Sequence, residues 1–242
     1  MKCPVCGNET KDNVCSQCGY LIEYDMIMKN MIHSLAQQEI DDYHHYVDIN
    51  KRVYKQNTAD TKMIKDVYNI AKEFFENKKY LEALKLYEML ANYNDMSSVF
   101  KIGYMYDMGL GVEQDYLKAI EYYQKAIKLG SHGAYNNLGI LYRYGRGVKK
   151  DVKKAIEYYK MAIKMNDPNA CYNLGLLYDK GEEVTQDYQK AREYYEKGEK
   201  LRNALSIDAL GVLYEYGRGV EKDLEKAKEL YLRAAEERIK QL

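Results

Sequence analysis

Apolar residues in the second half of the chain recur at helical spacing, in two stripes separated by a glycine-containing segment. Leu138, Leu141 and Tyr142 lie at positions i, i+3 and i+4, which places them on one face of a helix. A second stripe with the same periodicity follows the segment and includes Ala155 and Tyr159. The pattern therefore predicts two helices joined by a short loop, each with one apolar side.

This arrangement occurs four times, with a constant spacing of 36 residues. A single helix pair of this kind buries only one of its sides, so neighbouring pairs must stack on one another. The sequence thus predicts an all-α solenoid of helix pairs. A glycine in the first helix marks each copy, at Gly103, Gly139, Gly175 and Gly211.

The loop between the two helices contains recurring glycines and an aspartate, and in the second copy it reads YRYGRGVKKD. Gly145 and Gly147 are expected to end the first helix, because αL backbone angles cost glycine little. Asp151 is placed to cap the second helix and Val148 to insert into the interior. Gly139, within the first helix, is expected to let another backbone approach. Since other copies replace or separate the lysines, we predict a structural loop and not a phosphate-binding one.

The repeating unit resembles the Sel-1-like repeat, a relative of the tetratricopeptide repeat, over about residues 97 to 240. The resemblance implies a right-handed superhelical solenoid. The third copy departs from the pattern at Glu183, Arg192 and Gly198, so its loop is expected to adopt a different turn. The copies are predicted at residues 97–132, 133–168, 169–204 and 205–242, the last including a C-terminal cap.

The segment before these copies, residues 61–96, resembles an ordinary tetratricopeptide repeat that begins the stack. Its alanines Ala71 and Ala83 are 12 residues apart, whereas the equivalent Gly103 and Ala119 are 16 apart. The four missing residues correspond to the glycine loop, so a shorter connection between the two helices is predicted.

Residues 21–60 are predicted to form connecting helices. Their apolar residues recur at helical spacing from Leu21 to about Asn57, and one long helix or two shorter ones fit this pattern equally well. The polar stretch KQNTADTK, residues 55–62, interrupts the pattern and indicates the boundary with the repeats.

Four of the five cysteines lie near the start of the chain, in two CxxCG motifs. Such motifs form tight turns that point four thiolates at one ion, in the tetrahedral shell that zinc prefers. Residues 1–20 resemble the short zinc-ribbon family, which implies one structural Zn2+ held by Cys3, Cys6, Cys15 and Cys18. Four thiolates leave no open position for a catalytic water. Two disulfides or a rubredoxin-like iron centre are the rival readings, disfavoured because nothing marks secretion and the gap between motifs is short.

The overall charge of the chain is balanced, with 37 Lys plus Arg against 37 Asp plus Glu. No bulk charge therefore attracts nucleic acid or an acidic membrane. No apolar run approaches the roughly 20 residues of a membrane span, and Met1 is not followed by a signal-peptide core. A cytoplasmic protein is expected.

The second copy is an exception to this balance. Residues 133–168 hold eight basic and three acidic residues, a net charge of +5, whereas the first copy is neutral and the third and fourth are each −1. An acidic partner segment that docks near the second loop would explain the excess, and so would an ordinary solvated basic face. Charge reversal at Lys149, Lys150 and Lys153 would distinguish the two.

The resemblance also implies where a partner binds. In the tetratricopeptide family the first helix of each pair lines a concave face that holds peptides or partner helices. Tyrosine and arginine, which are frequent at interface centres, occur among the equivalent residues here. Transfer by position relative to the repeat glycine predicts a partner face of sixteen residues: Phe100, Tyr104, Asp107, Met108, Asn136, Ile140, Arg143, Tyr144, Tyr172, Leu176, Asp179, Lys180, Asp208, Val212, Glu215 and Tyr216.

Catalysis has little support in the sequence. No Ser/His/Asp or Cys/His set is suggested, and none of the four histidines recurs with the repeat. Cys171 occupies a position that is Tyr135 or Ile207 in other copies, so it is expected to be a buried thiol. The favoured function is a non-catalytic adaptor or scaffold, with the zinc ribbon as an accessory contact or cap. A nucleic-acid- or ribosome-associated factor that uses the ribbon is the alternative, and an unrecognised enzyme is the third.

Overall fold

The computed structural model describes residues 59–240, with side chains from residue 64 onwards. The predicted zinc ribbon and the connecting helices up to residue 58 lie outside this range. The chain divides into two compact units after Asp95. Within residues 59–240 none of the helices is long and apolar enough to cross a membrane.

All regular structure in residues 59–240 is α-helical, as predicted, and no strand occurs in this part of the chain. The helices, numbered along the described range, are α1 (Ala59–Glu76), α2 (Tyr80–Asn92), α3 (Met96–Met108), α4 (Tyr116–Lys128), α5 (His132–Tyr144), α6 (Val152–Lys164), α7 (Pro168–Lys180), α8 (Tyr188–Lys200), α9 (Ala204–Tyr216) and α10 (Leu224–Ile239).

The described part of the first unit is one helix pair, α1 and α2, whose helices pack against each other. Only Asn77 to Lys79 separate these helices, whereas Gly109 to Asp115 separate α3 from α4. The shorter connection lacks the glycine loop. Tyr87 is fully buried in this pair.

The second unit contains four helix pairs that pack in chain order. The two helices of each pair contact each other, and each second helix also contacts the first helix of the next pair. The solenoid arrangement expected from the repeat is therefore present in this unit. Its core includes three fully buried tyrosines at equivalent positions of the second helices, Tyr123, Tyr159 and Tyr195.

The predicted helix ends are confirmed. In the second unit, each second helix begins at an aspartate whose carboxylate accepts a hydrogen bond from a backbone amide in the first turn, which satisfies a donor that the helix leaves free. These aspartates are Asp115, Asp151, Asp187 and Asp223. Helices α5, α7 and α9 end at glycines with left-handed φ angles of 67° to 69°, namely Gly145, Gly181 and Gly217.

The first-helix glycine makes room for an aromatic ring of the second helix. A methyl group at Gly139 would lie 2.6 Å from Cε1 of Tyr159, the buried tyrosine of the same copy. Gly103, Gly175 and Gly211 face Tyr123, Tyr195 and Tyr231 in the same way. The recurring glycine and the recurring tyrosine are thus one packing unit.

The loop of the third copy differs from the others, as expected. Gly147 and Gly219 have φ angles of 70° and 66°, and each backbone packs tightly on a tyrosine at the start of the preceding second helix. Glu183, at the equivalent position, is not among the residues with positive φ. The residue beneath it by repeat position is Val152, which is smaller than the tyrosines at positions 116 and 188. By repeat position, a side chain at 183 would meet a smaller neighbour than the glycines of the other copies do.

The departure of the third copy at Gly198 also has a packing reason. Gly198 stands where Ala126, Ala162 and Ala234 occupy the other copies. A methyl group at this position would overlap Oγ of Ser206, which is fully buried on α9. The small residue therefore lets α8 and α9 approach closely.

Candidate partner-binding face

The sixteen residues of the predicted partner face occupy four repeating positions on α3, α5, α7 and α9. The last of these positions, at the C-terminal end of each helix, is the most accessible. Met108, Tyr144 and Tyr216 are exposed there by 51%, 53% and 61%, and Lys180 is also exposed. Nine other residues of the face are half-buried: Phe100, Tyr104, Ile140, Tyr172, Leu176, Asp179, Asp208, Val212 and Glu215.

Three polar residues of the predicted face are buried within the chain. Asp107, Asn136 and Arg143 expose only 8%, 6% and 5% of their surface. Each of them has a partner inside the protein, because a buried polar group without one would cost free energy. Their side chains therefore support the fold, and they offer a binding partner little surface.

Acidic residues on the face accept hydrogen bonds from tyrosines of the second helices. The hydroxyl of Tyr123 donates to Oδ2 of Asp107 at 3.0 Å. In the fourth copy Tyr231 donates to Oε2 of Glu215 at 2.6 Å. The third copy repeats the contact, from the hydroxyl of Tyr195 to Asp179, at 3.3 Å. The acid of the first helix and the tyrosine of the second helix thus join the two helices of each of these copies.

The second copy has an arginine at this position, and it pairs with the next copy instead. Nε of Arg143 donates to Oε2 of Glu183 at 2.6 Å. Lys150 Nζ lies 2.8 Å from the other carboxylate oxygen. The side chains of Arg143 and Glu183 are exposed by only 6% and 11%, so this ion pair lies largely out of solvent.

Two departures from the repeat therefore compensate each other. Where the first helix carries an acid, at Asp107 or Asp179, the residue 40 positions later is a glycine, Gly147 or Gly219. Where the first helix carries Arg143, the residue 40 positions later is Glu183. The sequence analysis identified Glu183 as a departure but not Arg143. The opposite charges of these two residues, at a separation of 40 positions, were the signal that could have indicated the pair.

The surroundings of these groups alter their acidity. Burial would raise the pKa of Glu183, but hydrogen bonds from Lys150 and Arg143 bring this pKa below its ordinary value. Burial raises the pKa of Asp107, although the hydrogen bond from Tyr123 and the charge of Arg146 oppose the shift. The Glu183 carboxylate is therefore stabilised in its charged form.

The face is continuous across the first helices of the second, third and fourth copies. Nδ2 of Asn173 on α7 donates to Oδ1 of Asn136 on α5 at 2.8 Å. Helices α7 and α9 also contact each other directly. Neighbouring residues of the predicted face are therefore brought together.

Much of the second copy's positive charge is used inside the chain. Lys154 Nζ donates to the hydroxyl of Tyr142 at 2.9 Å, and Lys150 pairs with Glu183. Arg146 lies 5.3 Å from the ring centroid of Tyr144. Four exposed lysines account for the rest, namely Lys149, Lys153, Lys160 and Lys164. An acidic partner near this loop stays a prediction.

Cys171 is fully buried, as predicted. Burial is the main reason that the pKa of its thiol rises to about 11. A thiol with such a pKa carries little thiolate at neutral pH, and the thiolate is the reactive form. Among the residues of the described range, no group of three or more His, Cys, Asp and Glu side chains could hold a metal ion.

Together these features define a class of protein, the helix-pair repeat proteins, in which a surface is built from the first helices of successive pairs. The chain belongs to the Sel1 repeat family. The match covers residues 97–131, 132–167, 168–203 and 204–238, which is more than half of the chain.

A similar solved structure is that of a Sel1 repeat protein from Oxalobacter formigenes. It is 32% identical, with a TM-score of 0.62, and the alignment covers 70% of this chain and 69% of that one. A curated relative, the ERAD-associated E3 ubiquitin-protein ligase component HRD3 of Candida glabrata, is 38% identical over 65 residues. These residues are 26% of this chain but only 7% of the relative.

Two more distant structures share the fold alone. A protective antigen of uropathogenic Escherichia coli, described as displaying an SLR fold, has a TM-score of 0.62 at 20% identity, over 88% of this chain and 48% of the antigen. A Sel1 repeat protein from Klebsiella pneumoniae has a TM-score of 0.52 at 22% identity, over 75% of this chain and 90% of that one.

Proposed function

We propose that this protein is a non-catalytic adaptor that binds a protein partner through its partner face. Sel1 repeats typically mediate protein–protein interaction. The observation that carries the proposal is the contrast among its tyrosines. Tyr123, Tyr159 and Tyr195 are fully buried, whereas Tyr144 and Tyr216, on equivalent turns of α5 and α9, remain more than half exposed. Exposed tyrosines on a continuous surface are typical of an interface.

Affinity purification of the intact chain, followed by mass spectrometry, tests this proposal. We expect a defined set of proteins to co-purify with the wild type and to be lost from the double variant Tyr144→Asp, Tyr216→Asp. The matched control is Leu117→Asp, Leu232→Asp, because these leucines lie on second helices and are similarly exposed, by 62% and 60%. An adaptor that binds elsewhere would keep its partners in the variant Tyr144→Asp, Tyr216→Asp, and a protein without this function would co-purify with no defined partner in any form.

The N-terminal zinc ribbon is proposed as an accessory contact or a cap of the stack. The paired CxxCG motifs support it, since four thiolates at this spacing suit one zinc ion. The purification is therefore repeated with Cys3, Cys6, Cys15 and Cys18 changed to Ser. If the ribbon is an accessory contact, the variant should lose only some of the partners. If the ribbon is a cap, the variant should instead have a lower thermal stability than wild type.

A further inference from the structure

The charged residues of the partner face are almost all engaged within the chain. The face has six of them, and Lys180 is the only one for which the described residues provide no close partner of its own. Asp107 and Asp179 accept hydrogen bonds from the buried Tyr123 and Tyr195, at 3.0 and 3.3 Å, and Glu215 accepts one from the half-buried Tyr231, at 2.6 Å. Arg143 is paired with Glu183, and Asp208 accepts a hydrogen bond from Arg238 on α10. A charged partner that formed ion pairs with these residues would have to compete with the contacts that they already make within the chain.

The accessible part of the face is apolar or aromatic. Met108, Tyr144 and Tyr216 expose half or more of their surface at the helix ends. Ile140, Leu176 and Val212 are half-buried at the position four residues earlier, on the adjacent helices α5, α7 and α9. Ile140 and Val212 lie one turn before Tyr144 and Tyr216 on the same helices, and Leu176 is at the equivalent position on α7, the helix that contacts both α5 and α9.

Those two tyrosines are held in place by arginines. The guanidinium groups of Arg143 and Arg146 lie 5.1 and 5.3 Å from the ring centroid of Tyr144. Arg218 lies 5.1 Å from the ring centroid of Tyr216. A ring that is already held by a cation loses little conformational entropy when a partner covers it, which favours binding.

The geometry points to a partner segment that is rich in aliphatic and aromatic side chains and carries little net charge, seated on Tyr144, Tyr216 and the aliphatic residues of α5, α7 and α9. This inference rests on the proposed function, and it specifies the chemistry of the partner. Acidic and nucleic-acid partners are the competing cases, and both would bind with a strong dependence on salt.

The test uses the full chain, immobilised, and a library of random peptides of about 16 residues, long enough to cross several helices. We expect the selected peptides to be enriched in Leu, Ile, Phe and Trp, with a net charge near zero. Their affinity should change by less than about twofold between about 50 and 300 mM NaCl. The double variant Tyr144→Ser, Tyr216→Ser should bind at least about tenfold more weakly, and the control Leu117→Ser, Leu232→Ser within about twofold of wild type.

Thermal unfolding of both double variants shows whether they are folded. The salt dependence is measured on the wild type, so it tests the inference even if a variant does not fold. Selection of acidic peptides whose affinity falls steeply with salt would overturn the inference and leave the proposed function intact. Equal weakening in the control would place binding elsewhere and would also overturn it. The absence of any selected peptide would overturn the inference and the proposed function together.

Discussion

At the scale of single residues, the glycine of each first helix matters because of the tyrosine that it faces. Tyr159 is fully buried, and its ring occupies the space that a side chain at position 139 would need. The sequence located this glycine correctly but could not identify its neighbour, since close approach of either a backbone or an aromatic ring requires a glycine at this position. The distance of 2.6 Å to Cε1 of Tyr159 identifies it.

The substitution Gly139→Ala is expected to lower the free energy of unfolding by about 2 kcal/mol, because the added methyl group overpacks a fully buried ring. Gly133→Ala on the same helix is the matched control. Its methyl group would lie 3.3 Å from the edge of the Phe100 ring, a contact that a small shift relieves. Alanine also favours helix formation there by up to about 1 kcal/mol. Urea unfolding measures the free energy of unfolding of both variants. A loss for Gly133→Ala equal to that for Gly139→Ala would contradict the packing explanation.

Glu183 provides a prediction about pH. Its pKa is lowered in the folded protein, so its carboxylate contributes stability above the ordinary pKa of 4.5, and this contribution is lost as the pH falls through the folded-state pKa. Glu183→Gln should therefore destabilise the protein at pH 7, by about 3 kcal/mol, because Arg143 remains buried without its charged partner.

The difference in stability between wild type and Glu183→Gln should shrink as the pH falls below 4.5, since protonated wild type then resembles the variant. Chemical unfolding at a series of pH values measures it. The control is Glu182→Gln, at the neighbouring exposed position. A difference that stayed constant with pH would show that the ion pair does not act as described.

At the scale of elements, most of the local structure could be predicted from the sequence. The aspartates at positions 115, 151, 187 and 223 cap the second helices as expected, because an N-cap depends on neighbours two or three residues away. The pairing of Arg143 with Glu183 spans 40 residues and two copies. Position within the repeat indicates which residues are equivalent, but not which residues touch across copies.

The effects of substituting the two exceptional residues should be coupled. Arg143→Asp alone brings a carboxylate towards Glu183, and Glu183→Gly alone leaves a buried guanidinium without its partner, so each should destabilise by about 3 kcal/mol. The double variant restores the combination of acid and glycine found at Asp107 with Gly147. We expect a coupling energy of about 2 kcal/mol in the double-mutant cycle. Effects that add to within about 0.5 kcal/mol would show that the two side chains are independent.

At the scale of the whole molecule, the stacking of the helix pairs could be predicted from the repeat, because each pair has an apolar side that only a neighbour can cover. The chemistry of the partner face could not. The positive charge of the second copy suggested an acidic partner near its loop, whereas most charged residues of the face are engaged by contacts within the chain, several of them from second helices, including α10. The chemistry of the partner face therefore depends on contacts between different copies, and these contacts cannot be predicted from the sequence of a single repeat.

The zinc ribbon can be tested independently of the repeats. Elemental analysis of the intact chain should find about one zinc ion per molecule. The variant with Cys3, Cys6, Cys15 and Cys18 changed to Ser should hold none. Cys171→Ser is the matched control and should retain the ion, because Cys171 is buried within α7. Two disulfides, the rival arrangement, would give a wild type that lacks zinc and has a single free thiol after denaturation without reductant.

The central claim is that the first helices of the solenoid form the binding surface for a protein partner. Photo-crosslinking tests it most directly, with a photoreactive amino acid placed either at Tyr144 on the partner face or at Leu117 on a second helix, both exposed by more than half. The cells that express the intact chain supply the partner. We predict a crosslinked protein from position 144 and none from position 117. A partner that crosslinks from position 117 and does not crosslink from position 144 would contradict the claim.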